Sequence, residues 1–267
     1  MKESEKFAVV TGGTSGIGYE LVKLLAKDGY NLVIVARDKA ELSSVSDAMK
    51  RQYGVKVLTL SKDLFDVNNA FAVYDEIGAE GIHPEILIND AGQGHYGEFI
   101  ATDLRTELNI IQLNISSLVV LTKLFLKDMV ARGEGKILNL SSIASKTPGP
   151  WQSVYHGTKA FVQSFTEAVR SEVKDSGVTI TALLPGATDT DFFNKADMLD
   201  AKVVQEGKLD DAAKVAEDGY HALMTGDDMV VSGLKNKIQV AMGAITSDKT
   251  LADKMKKKQA PVNQKQS

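Results

Sequence analysis

The sequence predicts a doubly wound α/β domain, in which helices cover both faces of a parallel sheet of about seven strands. Short apolar runs alternate with longer segments of helical period, which is the pattern of strands joined by crossover helices. The runs consist almost entirely of β-branched and aliphatic residues, as in strands that are buried on both faces. The 267 residues, 43% of them hydrophobic, are enough for one large domain with a full core.

The strands and helices alternate in regular order along the chain. Strands are predicted over residues 6–11, 31–36, 55–60, 86–89, 135–141, 178–184 and 229–232. Helices are predicted over residues 17–28, 39–53, 67–79, 103–131, 152–175 and 210–224. We therefore expect a single domain over residues 1–253, with a lid near 189–225 that covers the substrate. The polar, basic residues 254–267 are predicted to form a flexible, solvated tail.

Composition excludes several classes of function. The chain has no cysteine, so disulfide frameworks, Cys zinc sites and thiol catalysis are excluded, and its four histidines share no metal-ligand spacing. The net charge of −4 argues against nucleic-acid binding. The N-terminus has no signal-peptide pattern, and no stretch reaches the roughly 18–20 apolar residues of a membrane span. We expect a cytoplasmic protein without a metal, nucleic-acid or membrane partner.

A glycine-rich turn follows the first predicted strand and leads directly into a helix. It reads Thr11-Gly12-Gly13-Thr14-Ser15-Gly16-Ile17-Gly18. Glycines in such a turn let backbone N–H groups approach a diphosphate, and the helix N-terminus contributes positive potential. The turn therefore predicts a dinucleotide cofactor.

Arg37 ends the second predicted strand, at the position from which an acidic residue would bind the ribose 2′-hydroxyl of NAD. Arginine can instead pair with a 2′-phosphate, so NADP(H) is the preferred cofactor. The neighbouring Asp38 caps the next helix or faces the ribose, so NAD(H) remains a second possibility.

Ser141-Ser142 follows the fifth strand, and Tyr155 and Lys159 lie four residues apart in the next helix. This spacing places the ammonium near the phenol on one helix face. A nearby cation lowers a tyrosine pKa, which suits a general acid and base. The strand also delivers Ser142 to the edge of the sheet where ligands of open α/β folds bind.

Together these segments resemble the short-chain dehydrogenase/reductase family, which has a Rossmann-like fold. The match follows the family order from Thr11 to about Thr190, and Asn89-Asp90-Ala91-Gly92 resembles the family's Asn-Asn-Ala-Gly segment with its second Asn replaced. The resemblance assigns the catalytic set to Asn114, Ser142, Tyr155 and Lys159. The distance of 13 residues between Ser142 and Tyr155 selects Ser142 over Ser141.

The resemblance also implies the role of each catalytic residue. Tyr155 would exchange a proton with the substrate oxygen, and Ser142 would hydrogen-bond that oxygen. Lys159 would lower the Tyr155 pKa and hold the nicotinamide ribose, while Asn114 would anchor a water molecule. Asp90 leaves in doubt the usual hydrogen bond from its loop to the central sheet.

The cofactor contacts that the resemblance implies extend over the whole carboxyl edge of the sheet. They comprise Gly12, Thr14, Ser15, Gly16, Ile17, Gly18, Arg37, Asp63, Leu64, Asn89, Ala91, Gly92, Tyr155, Lys159, Pro185, Gly186, Thr188 and Thr190. Among these, Asp63 would lie near the adenine and Asn89 by the adenosine ribose.

The resulting hypothesis is an NADP(H)-dependent oxidoreductase that interconverts a small-molecule carbonyl and an alcohol, with Tyr155 as general acid and base. One alternative is a non-catalytic NADP(H)-binding sensor. Another is an epimerase or dehydratase with the same fold. The resemblance further implies a homodimer or homotetramer that packs through the helices 103–131 and 152–175.

Overall fold

The computed structural model describes residues 5–262 and confirms the doubly wound fold. The strands are β1 Phe7–Thr11, β2 Asn31–Ala36, β3 Val57–Ser61, β4 Ile86–Asn89, β5 Gly135–Leu140, β6 Val178–Leu184 and β7 Met229–Val231. They form one sheet in the order β3-β2-β1-β4-β5-β6-β7, and every neighbouring pair is parallel.

Eleven α-helices accompany the sheet within the described residues. They are α1 Gly16–Lys27, α2 Lys39–Tyr53, α3 Val67–Ala79, α4 Leu104–Ile111, α5 Leu118–Arg132, α6 Ser153–Glu172, α7 Phe192–Lys195, α8 Lys202–Gln205, α9 Ala212–Thr225, α10 Leu234–Gly243 and α11 Asp248–Gln259. A π-helical segment, Gln112–Ser117, joins α4 to α5, and a 3-10 turn, Ile143–Lys146, follows β5.

Two hydrophobic clusters fill the space between the sheet and its two helical layers. Successive strand residues point to opposite faces, so Val10 packs with α1 and α9 whereas Val9 packs with α3 and α5. Both faces are buried, which explains the continuous apolar character of the strands.

The strand order places the functional cleft. From β1 the chain builds outward to β2 and β3, and then returns to the other side of β1 to begin β4. Such a reversal leaves a crevice outside the carboxyl ends of β1 and β4, where open α/β folds bind ligands. A cavity of about 710 Å³ lies along these strand ends.

The predicted helix 103–131 is not a uniform α-helix. The π-helical segment carries Asn114, and such segments are frequent at functional sites. The 29-residue stretch Leu104–Arg132 is also long and apolar enough to cross a membrane by length and composition. The expectation that no stretch meets this criterion was therefore wrong. Leu121, Phe125 and Met129 of this stretch pack against the sheet, so much of its apolar character serves the core.

The segment 189–225, which was predicted to be a lid, consists of two structurally different parts. Residues 212–225 form α9, whose Val215, Ala216 and Leu223 belong to the core beside the sheet. Only the preceding residues, with the short helices α7 and α8, form a wall of the cleft.

The predicted boundary between residues 253 and 254 falls inside α11. Leu251, Met255 and Gln259 recur every four residues on that helix and face the domain, and Gln259 is 3% exposed. Because only this single row of residues on α11 faces the domain, the sequence of the segment resembles that of a polar tail. The remainder of that predicted tail, 263–267, lies outside the described residues.

Candidate active site

The glycine turn leaves the N-terminus of α1 open toward the cleft. Ser15 precedes the first helical residue, but its side chain makes no capping hydrogen bond. Gly12 and Gly16 have φ values of 73° and 56°, in the left-handed region that favours glycine. The turn thus presents backbone rather than side chains to a ligand, as a diphosphate site requires.

Each glycine of the turn is required for a different reason. A Cβ on Gly16 would lie 2.9 Å from Cγ2 of Thr190, across the cleft. A Cβ on Gly18 would overlap the Asp90 carboxylate and the carbonyl oxygen of Gly12. Gly18 is therefore a packing residue that does not line the cleft.

Arg37 and Asp38, which follow β2, have different roles: Arg37 lines the cleft and Asp38 caps α2. The Arg37 guanidinium lies 5.3 Å from the centre of the Phe65 ring, and the residue lines the cleft. The Asp38 carboxylate caps α2, accepting hydrogen bonds from the N–H groups of Ala40 at 2.7 Å and Glu41 at 2.9 Å. Asp63 and Leu64 line the same end of the cleft, as expected.

Asn89 does not reach the cleft, contrary to expectation. Its side-chain amide donates to Oγ1 of Thr122 at 3.0 Å and to Oδ1 of Asn139 at 2.8 Å, and the residue is 3% exposed. Asn139 in turn donates to Oγ1 of Thr166 at 3.0 Å. This buried chain of hydrogen bonds ties α5 and α6 to the middle of the sheet.

The loop after β4 remains attached to the sheet despite the Asp at position 90. Oγ1 of Thr11 accepts hydrogen bonds from the backbone N–H groups of Asp90 and Ala91, each at 3.1 Å. The doubt raised by the altered motif is therefore removed, because the attachment uses backbone atoms of the loop.

The Asp90 side chain is buried under the glycine turn. Burial raises its pKa to about 7, although the Lys159 charge and a hydrogen bond from the Gly18 N–H favour the ionised form. Burial likewise lowers the pKa of Lys159 to about 8, with the Asp90 charge opposing the shift. The two buried groups therefore titrate as a coupled pair.

Ser142, Tyr155 and Lys159 converge where β5 and α6 meet. The Lys159 ammonium donates to the carbonyl oxygen of Leu140 at 2.8 Å and lies 5.8 Å from the centre of the Tyr155 ring. The Ser142 side chain lies close enough to Tyr155 to influence the pKa of its phenol. All three residues line the cleft.

The expected lowering of the Tyr155 pKa is not found. Burial raises this pKa to about 12, and the nearby Ser142 side chain opposes the rise only in part. The phenol ring packs 5.2 Å from the Phe192 ring, and the Lys159 ammonium is engaged by the Leu140 carbonyl. Desolvation therefore outweighs the attraction that helical spacing alone predicts.

The Asn114 side chain joins the loop after β4 to α6 through three hydrogen bonds. Its amide donates to the carbonyl oxygen of Gln93 at 2.9 Å and to Oγ1 of Thr158 at 3.0 Å. Its Oδ1 accepts from the Gln93 N–H at 3.0 Å. Asn114 thus clamps the loop after β4 to α6 from behind the cleft and does not line it.

The remaining predicted cofactor residues line the cleft. They are Gly12, Thr14, Ser15, Gly16, Ile17, Ala91, Gly92, Pro185, Gly186, Thr188 and Thr190. The uncapped helix N-terminus, the glycine cradle and the cation at the end of β2 together fit a phosphorylated dinucleotide.

The opposite wall contains Phe192 and Met198, which lie in the predicted lid over 189–225, and three residues beyond that lid that the sequence did not indicate. Phe192, Met198, Gln239, Met255 and Gln259 line it from α7 to α11. Helix α11 carries few apolar residues, so its apolar period is weak, and the four-residue spacing of Leu251, Met255 and Gln259 was the available signal.

Gln259 is anchored at the centre of this wall. Its side-chain amide nitrogen contacts Nε2 of His156 at 3.1 Å. Its backbone carbonyl oxygen accepts a hydrogen bond from the Tyr96 hydroxyl at 2.5 Å. Nδ1 of His156 contacts the Thr147 carbonyl oxygen at 2.8 Å. His156 therefore joins the loop after β5 to the end of α11.

The family model for short chain dehydrogenases matches residues 6–199. The chain belongs to the short-chain dehydrogenase/reductase family of oxidoreductases. The family match confirms the resemblance predicted from the motifs. It also supports an enzyme that uses NAD(P)(H) and a small-molecule substrate.

Two curated relatives illustrate the sequence similarity. The very-long-chain 3-oxoacyl-CoA reductase of Rattus norvegicus is 36% identical over 186 residues, which cover 67% of this chain and 58% of the relative. The enzyme of the same name from Homo sapiens is 35% identical with the same coverage. The chain thus matches only somewhat more than half the length of these relatives.

Solved structures resemble the whole fold. A short-chain dehydrogenase from Sphingobium yanoikuyae in complex with NADPH has a TM-score of 0.80 and 27% identity, covering 91% of this chain and 96% of the other. A short-chain dehydrogenase from Streptomyces avermitilis has a TM-score of 0.79 and 25% identity, covering 92% and 93%.

Proposed function

We propose that this protein is an NADP(H)-dependent oxidoreductase that interconverts a carbonyl and an alcohol, with Tyr155 as general acid and base. The observation that carries the proposal is the convergence of Ser142, Tyr155 and Lys159 on the same cleft as the open glycine turn. When bound, the nicotinamide supplies a hydride to the carbonyl carbon or accepts one from the alcohol.

The side chains account for the proton and for the charge on the substrate oxygen. In reduction, the Tyr155 hydroxyl gives its proton to the oxygen, and Ser142 hydrogen-bonds that oxygen as negative charge develops. The raised pKa of Tyr155 keeps the phenol protonated at neutral pH. We therefore expect reduction to proceed at neutral pH, whereas alcohol oxidation, which needs the phenolate, accelerates as the pH rises into the alkaline range.

Tyr155→Phe tests this role of the tyrosine. Loss of a general acid typically reduces kcat by about 100-fold to 10,000-fold, while the ring and its packing against Phe192 are retained. The measurement is NADPH oxidation over a panel of ketones and aldehydes, with NADPH affinity measured separately by fluorescence. Turnover that survives in Tyr155→Phe would refute the role. A protein that binds NADPH but reduces no carbonyl would instead favour a sensor.

The preference for NADP(H) is supported by Arg37. This cation lines the cleft, while Oδ1 of Asp38 accepts both capping hydrogen bonds of α2. A charge-assisted hydrogen bond contributes about 1.5–3 kcal/mol, so Arg37→Ala should weaken NADPH binding by about tenfold to 100-fold. Its effect on NADH should be small. Equal effects on the two cofactors would argue against a 2′-phosphate contact.

A homo-oligomer is also proposed. Leu104 and Leu108 on α4 and Phe161 on α6 are 66%, 50% and 41% exposed. These helices are the ones expected to form the subunit interface, and apolar side chains at that exposure are typical of interface positions.

A further inference from the structure

A second cavity, of about 430 Å³, adjoins the candidate active site and is lined by six lysines, which we call the lysine pocket. They are Lys202, Lys208, Lys235, Lys254, Lys257 and Lys258. Ile143, Ala187, Val203, Gln239 and Lys258 line both this cavity and the catalytic cleft. The two cavities are therefore neighbours that share part of their lining.

The lysine pocket concentrates positive charge in a protein whose net charge is −4. Two acidic residues, Glu206 and Asp210, also line it, and the Asp210 carboxylate accepts a 2.6 Å hydrogen bond from Asn236. Among residues 5–262, none of the six lysines forms a salt bridge. The lining thus sets six ammonium groups against two carboxylates, so the charge of the cavity is positive.

The fold holds these lysines together from separate helices. Lys202 lies on α8, Lys235 on α10, and Lys254, Lys257 and Lys258 on one face of α11. The end of α11 is fixed to α8 because the Lys202 N–H donates to the Ala260 carbonyl oxygen at 3.1 Å. Lys258 also donates to Oε1 of Gln239 at 3.4 Å. The charge of Lys235 and burial both lower the Lys258 pKa, as expected where like charges are held close.

The lysine pocket lies too far from the nucleotide end of the cleft to bind the phosphates near Arg37. Arg37 follows β2, whereas Ala187 follows β6, and β1, β4 and β5 lie between them. Neighbouring strands are about 4.8 Å apart, which separates the two sites by about 19 Å. An anion in the lysine pocket is therefore distinct from the 2′-phosphate that Arg37 is proposed to bind.

We propose that the lysine pocket binds phosphate groups of the substrate while the carbonyl of that substrate reaches Ser142 and Tyr155. Clustered ammonium groups suit the high charge of phosphate esters and diphosphates. The apolar shared wall, with Ile143, Ala187 and Val203, accommodates the segment between the two ends. This inference rests on the proposed carbonyl reductase activity and specifies its substrate as a soluble phosphorylated carbonyl compound.

The first test measures anion binding without turnover. Inorganic diphosphate is titrated by calorimetry into the NADPH-saturated protein, so that the nucleotide sites are filled. The double variant Lys235→Glu/Lys257→Glu should bind diphosphate at least tenfold more weakly than the wild type. Lys256→Glu is the matched control, because Lys256 lies on the opposite side of α11 and lines neither cavity. An unchanged affinity in the double variant, or no binding to the wild type, overturns the proposal.

The second test uses a substrate pair with the same reacting carbonyl. Acetoacetyl-CoA carries phosphates, whereas acetoacetyl-N-acetylcysteamine has none. The double variant should raise KM for the CoA thioester at least tenfold and change KM for the short thioester, and kcat for both, less than twofold. Equal changes in KM for the two compounds overturn the proposal.

Further measurements separate a phosphorylated substrate from other sources of phosphate. They also separate a failure of this proposal from a failure of the carbonyl reductase activity. Ribose 5-phosphate is tested as a competitor, and phosphatidylglycerol vesicles are tested by sedimentation. Vesicle binding that the double variant abolishes, without any difference between the thioesters, replaces the substrate site with a membrane-binding surface. If no carbonyl is reduced but diphosphate binding depends on Lys235 and Lys257, the carbonyl reductase activity fails and the anion site stands.

Discussion

Replacing Asp90 by Asn should stabilise the protein at neutral and alkaline pH, because ionisation of this buried carboxyl group costs folding free energy. Burial raises its pKa from 3.8 to about 7. Between these two values the folded protein binds more protons than the unfolded chain, so the free energy of unfolding falls as the pH rises from about 4 to about 7. Asn has the same shape, remains neutral and can still accept the Gly18 N–H bond.

The pKa difference sets the size of the effect. A tenfold change in a dissociation constant corresponds to about 1.4 kcal/mol, which gives an upper limit of about 4 kcal/mol for the cost at pH 8. Asn also loses the attraction to Lys159 that partly offsets this cost. We therefore expect a net stabilisation of about 1–3 kcal/mol at pH 8 and almost none at pH 4.

Thermal unfolding followed by circular dichroism at several pH values between 4 and 8 measures this difference. For a protein of this size, each kcal/mol shifts Tm by about 2–4 °C. The exposed Asp253→Asn controls for the loss of one carboxylate and should leave the pH dependence unchanged. A difference between wild type and Asp90→Asn that is constant across this range would refute the reasoning, as would a folded variant that is less stable at pH 8.

Three further predictions address packing and assembly. Gly18→Ala forces a Cβ against Asp90, so it should lower the free energy of unfolding by about 1–3 kcal/mol and weaken NADPH binding. The control Gly78→Ala, whose Cβ meets nothing within 4 Å, should change neither quantity. Chemical denaturation and NADPH titration measure the two effects, and equal behaviour of the two variants contradicts the packing argument. Asn139→Ala removes a buried link between Asn89 and α6 and should cost about 2–4 kcal/mol by denaturation; a loss below about 0.5 kcal/mol would mean that its partners find other contacts. Leu108→Lys should lower the mass measured by light scattering if α4 forms the subunit interface, and an unchanged oligomer excludes that face.

Most of the sheet could be predicted because its strands are buried on both faces, which leaves a dense apolar signal. β2 and β4 occur at the predicted residues, whereas β3 begins at Val57 rather than residue 55 because its first residues lie outside the ladder. The π-helical segment at Asn114 left no signal in the sequence, since its apolar period matches that of the surrounding helix.

The site could be predicted where the residue type itself indicates its role. It could not be predicted where packing determines the direction or the pKa of a side chain. Gly12 and Gly16 of the glycine turn line the cleft as the motifs indicate, and so do Arg37, Ser142 and Tyr155. Asn89 has the residue type of a ligand contact, but its position in a buried strand turns its amide toward Thr122. The raised pKa of Tyr155 depends on Phe192, which is distant in sequence, so helical spacing could not reveal it.

The anchoring of Gln259 has a consequence for the order in which the protein folds. The glycine turn and the loop after β4 are joined through neighbouring strands early in the chain, whereas Gln259 must meet Tyr96, 163 residues away, and His156, 103 residues away. Contacts across such separations carry a large loop-closure entropy and are slow to form. The contact between Thr11 and Asp90 spans 79 residues, so we expect the nucleotide half of the cleft to order before the contacts of Gln259 close the opposite wall.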